Sequence, residues 1–146
     1  MHIFCTTFGG AESILKTISK RVIQMNVLLQ ANEKYAKYMS VMLLSLFTNN
    51  KDTKINVYVI HSSISQETID CMTEFVESYG NHITFLQCDA SIFTGFKTSS
   101  YLTIEMYYKL LAHLVLPEDM DRVMFLDIDL IIDADLTEFY NTDFEG

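Results

Sequence analysis

The sequence contains little cysteine and almost no proline, and both shortages limit the class of protein. The three cysteines, Cys5, Cys71 and Cys88, are odd in number and widely spaced, so they predict neither a disulfide framework nor a cysteine-based metal site. We therefore expect a reducing compartment, with Cys71 and Cys88 as core thiols because both fall within apolar patterns. Pro117 is the single proline, and since proline cannot continue a helix it predicts the end of one.

Long apolar runs and positive charge are also scarce. The sequence has no stretch of about 18 consecutive apolar residues, and its N-terminus lacks the apolar segment of a signal peptide. The cytoplasm is therefore the expected location. Ten basic residues stand against nineteen acidic ones, and the net charge of −9 disfavours a nucleic-acid partner. With 146 residues, 49% of them hydrophobic, the chain is expected to form one globular domain with a substantial core.

Short runs of apolar and β-branched residues predict four strands. Such residues are enriched in strands because they pack well on a pleated surface. The runs are Asn26–Ala31, Lys54–His61, His82–Cys88 and Arg122–Asp127.

Apolar residues at helical spacing predict three helices between these strands. The first carries Tyr35 through Leu46; the second begins at Ser65, a favourable N-cap, and ends at Gly80. The third covers about Thr103–Val115. The predicted apolar stripes are Tyr35, Tyr38, Met39, Met42 and Leu46, then Ile69, Met72, Phe75, Val76 and Tyr79, then Ile104, Tyr107, Leu111 and Leu114.

Alternation of strands and helices predicts a doubly wound α/β fold with a parallel sheet. Ligands of such sheets bind beyond the carboxyl ends of the strands. Asn32–Tyr35 follow one predicted strand, and Asp127 and Asp129 lie at the end of another. The two segments are therefore expected to border the same crevice.

Asp127 and Asp129 form an Asp-x-Asp pattern at the end of an apolar strand. Side chains of a strand alternate between faces, so both carboxylates are predicted to point the same way. Two adjacent carboxylates at the end of a buried strand are poorly tolerated without a cation between them. Hard oxygen ligands suit Mg²⁺ or Mn²⁺, which in turn bind phosphate oxygens. The pattern thus favours a metal-bound phosphorylated ligand. The alternative is that the aspartates only cap the following turn.

Residues 1–24 differ from the remainder of the chain. Ile14, Leu15, Ile18 and Val22 share roughly one face of a predicted helix, with basic residues opposite. A basic amphipathic helix can lie on the inner face of an anionic membrane, which would give peripheral membrane contact. The alternative, which we prefer, is an accessory extension before a domain that spans residues 25–146.

Several motifs, in this order and spacing, resemble the N-terminal half of family 8 glycosyltransferases, the lipopolysaccharide-type galactosyl- and glucosyltransferases related to glycogenin. No single motif is specific, but together they are. The motifs are Asn32-Glu-Lys-Tyr35-Ala-Lys-Tyr38, Thr94-Gly-Phe96, Met106-Tyr-Tyr-Lys109-Leu110, Arg122-Val-Met-Phe-Leu-Asp127-Ile-Asp129 and Asp135-Leu-Thr-Glu-Phe-Tyr140.

The resemblance implies a GT-A (Rossmann-like) α/β fold, with a mostly parallel sheet flanked by helices and apparently truncated. It also implies transfer of a hexose from UDP-galactose or UDP-glucose, with retention of configuration, to a glycan or lipid-linked saccharide acceptor in cell-surface glycan biosynthesis. Residue by residue, Ala31, Asn32 and Tyr35 would contact the uracil and ribose, Tyr35 by stacking. Many relatives have aspartate where this chain has Asn32, which keeps an acceptor but loses a charge.

The remaining site residues implied by the resemblance surround the diphosphate. Asp127 would contact the ribose and the metal, and Asp129 would bind the metal, Mn²⁺ or Mg²⁺. Ile128 would offer its backbone to the nucleotide. Lys109 stands where many relatives have an arginine that reaches the donor sugar and phosphate, although lysine lacks the bidentate fork of arginine.

The resemblance covers only about half of a typical member. The other half would carry a third metal ligand, a histidine, together with the acceptor pocket. The chain could thus be an inactive nucleotide-binding or assembly module, with a partner chain or a second copy covering its sheet edge. A haloacid-dehalogenase-type phosphatase also has Asp-x-Asp after a strand, but its motif opens the fold. A calcium loop beginning at Asp127 fails because Ile132 stands where glycine is required.

Overall fold

The computed structural model describes residues 23–93, 95–96, 107–108, 110 and 112–143. These residues form four parallel strands in the spatial order β3-β2-β1-β4. The strands are β1 (Ile23–Gln30), β2 (Thr53–His61), β3 (His82–Gln87) and β4 (Met124–Phe125). The helices are α1 (Ala36–Asn49), α2 (Gln66–Ser78), α3 (Ala112–Val115) and α4 (Thr137–Tyr140), with 3₁₀ helices over Glu33–Tyr35 and Ala90–Phe93. The predicted parallel α/β sheet is confirmed.

The order of the strands reverses direction beside β1. The chain passes from β1 to β2 to β3 on one side and then places β4 on the other side of β1. Val27 pairs with Met124 and Leu28 with Phe125, and the amide of Leu126 still donates to the carbonyl of Leu28 at 3.1 Å. The carboxyl ends of β1 and β4 therefore flank a topological switch point, where parallel α/β sheets open a crevice.

Helices α1 and α2 form where the sequence predicts them. The side chain of Ser65 caps α2 by accepting from the amide of Thr68, and the helix is followed by Gly80 at φ +74°. A left-handed residue after a helix favours glycine because a Cβ is strained there. Met39, Met42 and Leu46 of the predicted α1 stripe are buried, as are Met72 and Val76 of α2.

Alternating strand residues bury apolar side chains on both faces of the sheet. One face packs against α1 and α2, and the other packs against Phe93 of the 3₁₀ helix, Tyr107, Tyr108 and residues 112–116. The two faces separate cleanly along β1, where Val27 and Leu29 enter the first core and Leu28 the second. Successive strand residues point to opposite faces, so the consecutive apolar residues Val27, Leu28 and Leu29 fill both cores.

After β4 the chain returns along the C-terminal half of α1. The Asn49 side chain donates to the carbonyl of Ile132 at 2.8 Å, and the Ile132 amide donates to the Ser45 hydroxyl at 2.9 Å. The Asn50 side chain accepts from the amide of Leu136 at 2.7 Å. These polar contacts fix a segment that has little secondary structure of its own.

Several details differ from expectation. Strand β4 is only Met124–Phe125, shorter than the predicted Arg122–Asp127, and β1 is Ile23–Gln30 where Asn26–Ala31 was predicted. Cys71 is exposed, so its prediction as a core thiol is wrong, whereas Cys88 is buried as predicted. Apolar neighbours in the sequence cannot show that Cys71 lies on the outer face of α2.

Four predicted helix-stripe residues are also exposed. Tyr35 is 42% exposed, Tyr38 46%, Tyr79 47% and Leu114 68%. Of the third predicted helix only its last turn, Ala112–Val115, is seen, because residues 103–106, 109 and 111 lie outside the described residues. Residues 1–22 lie outside them too. In the described part of the chain, no helix combines the length and apolarity needed to cross a membrane.

Candidate functional site

The turn that follows β1 presents the first group of predicted site residues. Ala31 is buried, and its amide donates to the carbonyl of Ile60 at 3.2 Å, which fixes the start of the turn to β2. Asn32 then caps the 3₁₀ helix, because its side-chain oxygen accepts from the amide of Tyr35 at 3.3 Å. Tyr35 ends that helix and is 42% exposed. The turn thus offers an exposed ring beside a half-buried amide side chain.

Tyr35 belongs to an exposed pair of tyrosines. Its ring lies 5.8 Å from the ring of Tyr38, with an interplanar angle of 42°. The ammonium of Lys34 lies 5.4 Å from the centroid of the Tyr35 ring, and that of Lys37 lies 5.0 Å from the Tyr38 ring. Because both rings are exposed, the alternative reading of Tyr35 as a core residue is wrong, and an aromatic surface remains open to a ligand.

Glu33 holds this turn against the start of α2. Its carboxylate accepts hydrogen bonds from the Ser65 amide at 2.8 Å, the Ser65 hydroxyl at 3.1 Å and the Thr68 hydroxyl at 2.7 Å. The bond from Thr68 and then that from the Ser65 amide lower the pKa of Glu33 below its ordinary value. Sequence reasoning missed Glu33, because no spacing rule connects residues more than thirty positions apart. A carboxylate at a strand–helix turn was the only available signal.

The second group of predicted residues lies in the turn after β4. Both Asp127 and Asp129 are exposed, and residues 128–129 form a turn. The prediction that a strand reaches these aspartates and points both carboxylates the same way is therefore wrong in its strand, because β4 ends at Phe125. Exposure also removes the argument that the pair needs a cation to be tolerated, since water screens both charges. Between them, Ile128 is half-buried against the first core and anchors the turn.

The donor set of this turn fits a divalent cation only in part. Asp127 and Asp129 supply hard oxygen ligands of the kind that Mg²⁺ and Mn²⁺ prefer. Among the residues that the structure describes, no group of three or more histidine, cysteine, aspartate or glutamate side chains could hold a metal ion. Mg²⁺ commonly takes one or two protein carboxylates and completes its shell with phosphate and water. Two carboxylates are therefore compatible with a metal bound together with a diphosphate.

Lys109 lies outside the described residues, whereas the preceding residue, Tyr108, is buried in the second core. The Tyr108 side chain is fully buried, and its ring centroid lies 5.7 Å from that of Phe93. Within the described part of the chain, its hydroxyl is the one buried side-chain polar atom without a hydrogen-bond partner. A buried hydroxyl in that state costs free energy.

Two cavities lie away from the Asp-x-Asp turn. A groove of about 690 Å³ runs between α1 and α2, with Val41, Leu44 and Phe75 in its lining. A second cavity of about 430 Å³ opens at the carboxyl ends of β2 and β3, lined by Ser62, Gln87, Cys88 and Asp89. Burial raises the pKa of the Cys88 thiol, which makes that thiol a poor nucleophile. Neither cavity includes Asp127 or Asp129.

Comparison with known proteins identifies relatives over most of the chain. Residues 26–146 match the family described as Glycosyl transferase family 8. General stress protein A of Bacillus subtilis is 26% identical over 121 residues, which is 82% of this chain and 42% of that protein. The lipopolysaccharide 1,2-glucosyltransferase of Escherichia coli is 22% identical over 120 residues, which is 82% of this chain and 35% of that protein. The chain thus spans less than half the length of these relatives.

Solved structures share the fold. The crystal structure of the galactosyltransferase LgtC in complex with donor and acceptor sugar analogues superposes with a TM-score of 0.74 at 28% identity. The match covers 82% of this chain and 43% of LgtC. The GlyE glycosyltransferase of Streptococcus pneumoniae superposes with a TM-score of 0.63 at 18% identity, which is a likeness of fold alone. The expected GT-A-like arrangement, a parallel sheet with flanking helices, is confirmed.

Proposed function

The chain belongs to glycosyl transferase family 8, and from that premise we propose that residues 25–146 form the donor-binding half of a retaining glycosyltransferase. The donor is a UDP-hexose, UDP-galactose or UDP-glucose, and the acceptor is a glycan or lipid-linked saccharide of the cell surface. One observation carries the proposal. The exposed turns Asn32–Tyr35 and Asp127–Asp129 follow β1 and β4, the two strands that flank the switch point of the sheet.

The turn after β1 binds the nucleoside in this proposal. Tyr35 stacks on the uracil through its exposed ring, and a stacked aromatic contact suits a flat base. Asn32 has its side-chain oxygen committed to the Tyr35 amide, so its amide nitrogen is the group that reaches the uracil or ribose. Ala31 contributes backbone, because its side chain is buried in the first core.

The turn after β4 binds the diphosphate in this proposal. Asp127 and Asp129 hold Mn²⁺ or Mg²⁺, and the exposure of both carboxylates leaves room for phosphate and water in the same coordination shell. Ile128 packs against the core and keeps the turn in place while its backbone faces the nucleotide. Lys109 supplies a further positive charge to the donor sugar and phosphate.

The chemistry requires charge stabilisation at the leaving group. Departure of UDP from the hexose develops negative charge on the diphosphate, and a bound divalent cation supplies a Lewis acid there. The residues of this chain bind and orient the donor, since Tyr35 holds the base and the aspartates hold the opposite end. The free thiols Cys71 and Cys88 fit the reducing cytoplasm that we propose for this reaction.

A second candidate is a nucleotide-binding or assembly module without catalysis. It is favoured by the shortage of metal ligands, since the described residues contain no group of three. A second copy or a partner chain would then cover the open edge of β4. This candidate predicts UDP binding without release of hexose from UDP-glucose or UDP-galactose.

Thermal denaturation with UDP, with Mn²⁺ and with both together tests the proposal. We expect the melting temperature to rise only when both are present, because the metal and the diphosphate complete each other's binding. Ligand at one hundred times its Kd adds about 2.7 kcal/mol to the free energy of unfolding. Asp129→Ala should abolish the rise, whereas Asp133→Asn, an exposed control four residues away, should retain it.

The outcomes separate the candidates. A melt that ignores UDP and Mn²⁺ in every combination contradicts nucleotide binding altogether. Equal UDP affinity with and without Mn²⁺ contradicts the metal role of Asp129. A ligand-dependent melt combined with no hexose release or transfer from either UDP-sugar favours the non-catalytic module.

A further inference from the structure

The 3₁₀ helix Glu33–Tyr35 has little to hold it in place on its own. It is three residues long, none of its residues is buried, and its hydrogen bonds run from the Tyr35 amide to Asn32 and from the Ala36 amide to the carbonyl of Glu33. Short 3₁₀ helices have poor hydrogen-bond geometry, so they depend on contacts with the remainder of the protein. A turn that must present Tyr35 to a ligand therefore needs an external support.

Glu33 provides that support from the opposite side of the turn. Both carboxylate oxygens are used, since one accepts from the Ser65 amide and the other from the hydroxyls of Ser65 and Thr68. The start of α2 also favours a negative charge, because the helix dipole is positive there. Hydrogen bonds to an ionised carboxylate are shorter and stronger than neutral ones, so the contact is directional.

Ser65 and Thr68 are themselves fixed by the helix cap. The Ser65 hydroxyl accepts from the Thr68 amide at 3.3 Å and lies 3.0 Å from the Thr68 hydroxyl. The partner of Glu33 is thus a rigid helix end rather than a mobile side chain. Tyr35 lies two residues after Glu33 in the same turn, which is closed because the Tyr35 amide donates to the carbonyl and to the side-chain oxygen of Asn32.

We propose that Glu33 is a positioning residue for the nucleotide, fixing the Asn32–Tyr35 turn against the N-terminus of α2 so that the Tyr35 ring is held ready for the base. The inference rests on the proposed function, because it assumes that the turn binds a nucleoside. Because Glu33 is exposed, its hydrogen bonds contribute only modestly to global stability. Its loss should therefore weaken binding of the base without unfolding the protein.

The test measures UDP and uridine affinity by calorimetry, with Mn²⁺ present, on the full chain and four variants. Glu33→Gln removes the charge and one acceptor, and we expect about a tenfold loss in affinity for both ligands. Thr68→Val removes one donor and should give a smaller loss, whereas Thr68→Ser keeps the hydroxyl and should restore parental affinity. Glu67→Gln is the matched control, since it makes the same replacement at an exposed glutamate in the first turn of α2, the helix end that Glu33 contacts.

A positioning role and a general destabilisation of the fold differ in which measured quantities change. The melting temperature and the affinity for Mn²⁺ alone should be unchanged in Glu33→Gln, and the loss for uridine should equal that for UDP. Parental uridine and UDP affinity in Glu33→Gln overturns the inference while the proposed function stands. An equal loss in Glu67→Gln also overturns it, because charge alone would then explain the effect. A parent chain that binds neither ligand overturns the proposed function and this inference with it.

Discussion

Tyr140 and Arg122 bind each other reciprocally. The Tyr140 hydroxyl donates to the carbonyl of Arg122 at 3.0 Å, while the Arg122 guanidinium donates to the carbonyl of Tyr140 and lies 5.9 Å from the centroid of its ring. The Tyr140 hydroxyl also accepts from the amide of Asn26 in β1 at 3.2 Å. Asp127 and Asp129 lie between these two residues in sequence. The reciprocal contact therefore fixes both ends of the segment that carries them.

Removal of the Tyr140 hydroxyl should destabilise the protein. Tyr140 is 8% exposed, and Tyr140→Phe leaves the Asn26 amide without this acceptor, so we expect the free energy of unfolding to fall by about 1–2 kcal/mol. Urea denaturation measures the change. Phe139→Tyr adds a hydroxyl to the neighbouring residue, which is 62% exposed, and should change the value by less than about 0.5 kcal/mol. Equal effects in both variants would contradict a specific role for the Tyr140 hydroxyl.

Removal of the Tyr108 hydroxyl should not lower the free energy of unfolding, in contrast to removal of the Tyr140 hydroxyl. It is buried without a partner in the described part of the chain, so Tyr108→Phe removes an unpaired polar group and keeps the ring. We expect the free energy of unfolding to stay the same or to rise by about 1 kcal/mol. The same urea titration tests this. A loss as large as that in Tyr140→Phe would show that the hydroxyl has a partner.

Replacement of Asp127 should separate binding from stability. Asp127 is exposed, so Asp127→Asn should keep the free energy of unfolding within about 0.5 kcal/mol of the parent. If Asp127 holds the metal as proposed, its replacement should weaken Mn²⁺-dependent UDP binding by at least about tenfold, or 1.4 kcal/mol. Calorimetric titration of UDP in Mn²⁺ gives the affinity, with Asp133→Asn as the control. Marked destabilisation with unchanged affinity would assign Asp127 a structural role as the cap of its turn.

The stability of the protein should depend on pH through His61. His61 is buried, its Nδ1 accepts from the amide of Ile64 at 3.2 Å, and burial lowers its pKa below the ordinary 6.5. Below pH 6.5 the unfolded chain binds this proton more readily than the folded one. The contribution of neutral His61 to the free energy of unfolding is therefore fully present above pH 6.5. It is lost as the pH falls through the lowered pKa of the folded state.

A pair of variants tests that dependence. His61→Asn cannot titrate but keeps an acceptor near the Ile64 amide, so the free energy of unfolding should change less between a pH above 6.5 and one below it. His113→Gln, at an exposed position, should retain the full parental dependence. Urea denaturation at one pH above 6.5 and one below it gives the pH dependence of the free energy of unfolding for the parent and each variant. A His61→Asn slope equal to that of the parent would place the titrating group elsewhere.

Elements with strong periodicity could be predicted from the sequence, and elements held by distant contacts could not. Strands β1, β2 and β3 and helices α1 and α2 each carry apolar residues at the spacing of their own geometry. Strand β4 is shorter than predicted because pairing with β1 ends at Phe125, and an apolar run alone does not show where pairing stops. The exposure of Cys71 follows from the same limit, since one face of α2 meets the core and the other meets solvent.

The candidate site divides in the same way. The sequence determined the family to which the motifs belong and supplied the residues that we propose for the site, namely Asn32 and Tyr35 after the first strand and Asp127 and Asp129 after the last. Tertiary structure alone decided that β4 pairs with β1, which brings both turns to one switch point, and that Glu33 meets Ser65 and Thr68. Local spacing encodes which face or end of an element a residue occupies. The order of strands and contacts across 32 to 35 residues depend on how the whole chain packs.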